Sequence, residues 1–94
     1  MAIGIGSIVC MLNGRDAGKF FLVIKTDEEY IYAADGRARK VGLPKKKKQK
    51  HVGYVAQSSE KINAKLLSGM VLTNKEIWKE IKMIKEIRLS DDYN

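Results

Sequence analysis

Cysteine, histidine, proline and tryptophan each occur once in this 94-residue chain, and the first two of those scarcities each remove a class of function. A lone thiol, Cys10, closes no intramolecular disulfide and builds no cysteine-rich zinc site, which suits a reducing compartment. It stands in the apolar run Ile8 to Leu12 and reads as a small buried hydrophobe. The lone imidazole, His51, has no His or Cys at ligand spacing and no motif-placed Ser or Asp for a triad. Asp91 and Asp92 are adjacent carboxylates, but in the segment Ser90 to Asn94, which is expected to fray, they lack the fixed geometry that catalysis requires. The apolar stretch Ala2 to Leu12 has no basic leader or small-residue cleavage site and is too short to span a bilayer. Gly14 to Lys19 departs from the phosphate-binding loop, with three residues between its glycines and Phe20 where a hydroxyl is needed. These absences point to a cytoplasmic protein that is not an enzyme, with no cofactor, no metal, no membrane and no small-molecule substrate.

Acidic residues are missing from one segment in particular. The formal net charge is +7, yet residues 1–36 carry three basic and five acidic side chains and residues 52–94 carry seven and six. Residues 37–51 carry eight basic side chains and no acidic one, so the whole excess lies there. Cations clustered within about a Debye length, roughly 8 Å at physiological salt, add their potentials and favour a polyanionic partner. The bland alternative is a solvated loop. An unbalanced block of this kind is more in keeping with an interaction segment.

With 45% hydrophobic and 31% charged residues, the composition is globular and the length suits one domain. Ser7 to Met11, Lys19 to Thr26 and Tyr30 to Ala34 are short apolar runs that read as strands, separated by a glycine-bearing turn and by Asp27-Glu28-Glu29. Asp35-Gly36 suits a two-residue hairpin turn, with Arg37 to Val41 as the returning strand, closed by Pro44. Lys45 to Lys50 is expected to be too repulsive to pack. Val52 to Gln57 reads as a fifth strand. Short strands at this spacing suggest a small barrel. The tail changes period: Ser59 caps a helix over 60–68 that stops at Gly69, and Thr73 with Glu76 matches a capping box. Beyond it, Ile77, Ile81 and Ile84 fall on one helical face with Trp78 and Ile87 alongside, while Lys75, Lys79 and Lys82 project away as a plain solvent face diluted by glutamates.

The stretch Gly6 to Val9, the loop Asn13-Gly14-Arg15-Asp16-Ala17-Gly18-Lys19 and the strand Phe20 to Ile24 together resemble a KOW motif. In this reading Gly18 permits the reversal, Asp16 bonds its own turn amides, and Arg15 and Lys19 extend from a short rigid loop. Tyr30 to Gly36, the basic run, Lys50-His51-Val52 and the Thr-capped helix follow the order seen in KOW-domain large-subunit ribosomal proteins of archaea and eukaryotes and their short bacterial relatives. The resemblance covers about residues 3–85 of the chain. It departs at Gly53 to Gln57, where a polar, threonine-containing segment is expected, so the exit strand's contacts are expected to differ.

The resemblance implies a mainly β fold: an SH3-like small barrel of KOW type over residues 1–57, with about five strands, and a helical C-terminal extension over 58–94 packed on it. It also implies binding to ribosomal RNA. The expected contacts are Arg15 and Lys19 in the loop; Arg37 and Arg39 on one face of a strand and Lys40 on the other; then Lys45, Lys46, Lys47, Lys48, Lys50 and His51. Tyr30, Tyr32 and Tyr54 are read as core or rim packing in preference to stacking on bases. RNA, ribosomal RNA above all, and the ribosome are the expected partners of a monomer. The rival reading is an SH3-like protein adaptor in transcription or translation complexes, which would present an exposed apolar groove. Duplex DNA and membrane surfaces fit less well, for want of a recognition helix and because the tail helix mixes glutamates with its lysines.

Overall fold

In the computed structural model, which describes residues 3–92, four apolar runs and the lysine run form five strands: β1 (Ser7–Met11), β2 (Phe20–Thr26), β3 (Tyr30–Ala34), β4 (Lys45–Lys48) and β5 (Val52–Gln57). They make one antiparallel sheet in the order β4-β3-β2-β1-β5. A single 3-10 turn, Gln49–His51, joins the two edge strands β4 and β5. Two helices follow, α1 (Glu60–Leu67) and α2 (Asn74–Asp92). The result is a small mixed α/β domain.

Strand parity divides the interior in two. Ile8, Leu22 and Ala34 face the helices and pack with Ile62, Leu72, Ile77, Ile81 and Ile84. Val9, Met11, Phe21, Val23, Ile31, Ala33 and Val52 point the other way and are buried on one another, joined by Ile3. Among the described residues no helical one joins this second cluster, so the sheet must bend for the face to bury itself. The register shifts between Ile8 and Val9 and between Val23 and Lys25, the kind of irregularity that adds local bend and twist to a strand.

The helices start where the sequence signals them. Thr73 Oγ1 accepts from the Glu76 amide at 3.1 Å, and Glu76 Oε1 accepts from the Thr73 amide at 3.0 Å, a closed capping box. Ser59 Oγ accepts from the Ile62 amide at 3.4 Å. The buried Glu80 of α2 reaches the same helix end, accepting from the Ser59 amide at 2.5 Å and from its hydroxyl at 3.3 Å. A buried carboxylate is tolerable there because hydrogen bonds and the positive end of the α1 dipole compensate its lost hydration. Glu80 thus fastens the two helices together.

Several expectations are corrected. Residues Arg37 to Val41 form no strand, and Asp35-Gly36 is no two-residue hairpin: Asp35 Oδ1 accepts from the amides of Arg37 (2.9 Å) and Arg39 (2.8 Å), coiling the chain into a wider loop. Arg37 and Arg39 therefore do not share a strand face, and Lys40 does not oppose them. The strand that pairs with β3 is the lysine run itself, Lys45 to Lys48. Lysines two apart on a strand lie about 7 Å from each other, where their repulsion in water is about 0.6 kcal/mol. That is too little to undo a backbone ladder on an edge whose ammonium groups reach solvent or a partner. Cys10 is half-buried, not buried. Ile87 is 51% exposed and lies off the helix face that packs. Helix α2 continues through Asp92, past the expected fraying at Ser90; Tyr93 and Asn94 lie outside the described residues, as do the side chains from Ser90 on.

Candidate nucleic-acid interface

The loop between β1 and β2 reverses on two glycines with positive φ, Gly14 (81°) and Gly18 (85°), a conformation that glycine adopts without penalty. It folds across to the far edge of the sheet. Asp16 Oδ2 takes the Lys45 ammonium at 2.5 Å, and its other oxygen lies 3.5 Å from Lys19 Nζ. Its carboxyl is held below the ordinary value, first by the hydrogen bond from Lys45, which outweighs the opposing effect of burial, and then by the charges of Lys45 and Lys19. The side chain therefore does not bond its own turn amides; the Lys19 amide goes to the Asp16 carbonyl, at 2.9 Å. Two further contacts fix the loop: Lys47 Nζ donates to the Asn13 carbonyl (3.3 Å), and the Asn13 side-chain amide pairs with His51 Nδ1 (2.8 Å).

Strand alternation sorts the lysines. Lys45 and Lys47 are half-buried and turn toward the loop, while Lys46 and Lys48 are exposed and share a face with Tyr32 and Tyr30. Lys46 Nζ lies 4.3 Å from the Tyr30 ring centroid and 5.9 Å from that of Tyr32. Both tyrosines are half-buried, and the Tyr32 hydroxyl donates to Asp27 at 3.1 Å, so they act as a rim that supports the cations. Tyr54 is more open, at 48% exposure. Among the described residues, Arg15, Lys46, Lys48 and Lys50 make no ion pair, although the charge of Lys46 reaches Asp27.

Arg37 reaches this region by a different route. Gly36, with φ of 81°, lies so close to α2 that a Cβ there would stand 2.2 Å from the Asn74 carbonyl oxygen. The Asn74 side chain accepts from the Val41 amide at 2.7 Å, closing the loop onto the helix start. Arg37 then lies over Trp78, its guanidinium carbon 3.9 Å from the ring centroid. A groove of about 380 Å³ opens beside that pair, lined by Lys19, Phe20, Asp35, Arg37, Trp78, Ile81, Lys82 and Lys85. Lys19 is thus common to the loop surface and the groove. Arg39 and Lys40 do not line the groove.

Of the residues singled out from sequence, the structure brings together Lys19, Lys45, Lys47 and His51 about Asp16 and Asn13 of the loop, and joins Arg37 to them through Lys19; Lys46 and Lys48 lie on the other face of β4, Lys48 and Lys50 lie beside Glu29, and Arg15 is exposed in the loop. Trp78, Lys82 and Lys85 lie outside the set of site residues that the sequence suggests. Phe20, one position after Lys19, and Trp78, four residues before Lys82, are weak signals for them. The groove is made by the Gly36 contact, which no local pattern reveals. No protein-family model matches the chain, and no curated protein matches it in sequence.

Proposed function

We propose that this chain is an RNA-binding module of KOW type, an SH3-like barrel with a helical extension. In this reading it acts in the cytoplasm on ribosomal RNA or the ribosome, and it is not an enzyme. The observation that carries the reading is the clamp of Asp16 and Asn13 on Lys45, Lys47 and His51, which makes the loop and the lysine edge one rigid surface. A rigid array of cations follows a folded phosphate backbone with little ordering cost. The barrel is supported by the self-buried face of the sheet and by the single 3-10 turn that links its two edges.

Along this edge the roles divide. Lys45 is neutralised by Asp16 and holds the loop, whereas the exposed Arg15 and Lys19 of the loop, Lys46 and Lys48 on the other face of β4, and Lys50 just beyond it meet phosphates that run around the edge. His51 borders them through Asn13, while Arg39 and Lys40 lie in the loop that closes on the start of α2. If about four phosphates are engaged, log affinity for a structured RNA falls against log salt with a slope of about −3 to −4. Fluorescence anisotropy across a salt series tests this; binding that is absent at low salt, or indifferent to salt, defeats the proposal.

One observation favours a second reading, that of a protein adaptor. An apolar groove lined by Ile24, Val41, Leu66, Gly69, Met70, Val71 and Leu72 lies beside exposed Leu67, Met70 and Val71. An adaptor keeps its partners after nuclease digestion, and an RNA-binding module loses them.

A further inference from the structure

We propose that the Trp78 groove receives one unpaired nucleotide of the bound RNA, its base on Arg37 and its phosphate among Lys19, Lys82 and Lys85; the inference rests on the RNA-binding reading above. The charge in the groove favours an anion. Lys82 Nζ is 5.1 Å from the Trp78 centroid and Lys85 Nζ is 5.6 Å from that of Phe20. Among the described residues, Arg37, Lys82 and Lys85 make no ion pair. The one acid in the lining, Asp35, already accepts from two backbone amides through Oδ1.

Shape then selects a nucleotide. A volume of about 380 Å³ is at the lower end of small-ligand sites, which run from about 300 to 1,000 Å³, so the groove holds one nucleotide and excludes a duplex. At 3.9 Å, Arg37 is in van der Waals contact with the indole, and the residue is exposed, so the guanidinium plane turned away from Trp78 is open to a base. Unpaired bases of RNA are taken up on aromatic rings and on arginine planes in this way. The lysine edge would then hold the helical part of the RNA, and the groove would read a bulge or loop beside it.

The chain's one tryptophan makes the test direct. A short RNA duplex and the same duplex with a single-nucleotide bulge are titrated by anisotropy and, in parallel, by Trp78 emission. The bulged RNA is expected to bind at least about tenfold tighter, and it alone should change the emission. Lys82→Gln/Lys85→Gln should abolish that preference and reduce the magnitude of the salt slope for the bulged RNA by about 1.4, at about 0.7 for each cation on single strands. Both positions are exposed, so the variant keeps its thermal melt. Lys61→Gln/Lys79→Gln removes the same charge from α1 and from a position about 100° round the helix from Trp78, and it should behave as wild type. Equal binding of the two RNAs with unchanged emission overturns the groove while leaving RNA binding in place. No binding of either RNA at low salt overturns both.

Discussion

Gly36 has no side chain, yet it positions the groove. Its φ of 81° is in the left-handed region, and its α-carbon faces the Asn74 carbonyl with no room for a methyl group. Alanine at this position must both strain the backbone and push the loop off the start of α2. Gly36→Ala is expected to cost about 2–4 kcal/mol in urea unfolding, well above the roughly 1 kcal/mol of the conformational effect alone. Trp78 emission should change in the folded variant, because Arg37 leaves the ring. Gly18 also has positive φ but nothing near its α-carbon, so Gly18→Ala should show only the smaller conformational cost. Equal losses in the two variants would contradict the packing argument.

At the level of elements, β1, β2, β3, β5, both helices and the Thr73 capping box were legible in the sequence, because each depends on residues a few positions apart. The lysine strand was not. Its conformation is decided by a ladder with β3 and by Asp16, twenty-nine residues away, and neither enters a local count of like charges. Arg37 to Val41 looked extended for the converse reason: the Asp35 carboxylate, by capping two amides, outcompetes a ladder that would otherwise form. From sequence Trp78 reads as packing and Lys82 as solvent face, since only the close approach at Gly36 gives them Arg37 as a neighbour. The α1–α2 junction supplies an element-scale prediction. Lys65 donates to Glu76 as well as the Thr73 amide, and these bonds bring the Glu76 carboxyl from an ordinary 4.5 to about 2. A carboxyl whose folded pKa is lowered stabilises the fold fully above its unfolded value and ceases to do so as pH falls through the folded one. The Tm should therefore decline from about pH 4.5 toward pH 2. Asp16 and Asp27, lowered from 3.8 by Lys45 and by the Tyr30 amide respectively, add to the decline. Glu76→Gln should have a lower Tm at pH 7 and converge with wild type near pH 2. Parallel curves would mean that the carboxyl is not linked to stability.

For the molecule as a whole, what matters is where the charge of +7 lies, more than its size. The described residues span 37 × 28 × 27 Å, several times the roughly 8 Å Debye length at physiological salt. A lysine on the far side is therefore screened from an RNA held at the β4 edge, and net charge by itself is a poor guide to affinity. Lys46→Gln/Lys48→Gln and Lys61→Gln/Lys79→Gln each remove two positive charges at exposed positions, so they share one net charge and differ only in location. The β4 pair contacts two phosphates in the proposed complex. Its loss should reduce the magnitude of the salt slope for duplex RNA by about 1.8, at about 0.9 per phosphate as for a B-form duplex, while the other pair should leave the slope unchanged. At 50 mM salt the two variants should differ in affinity by at least about tenfold, and the difference should shrink as salt rises. If both lose affinity equally, the protein attracts RNA through its overall field, and the clamped loop and strand are not the contact surface.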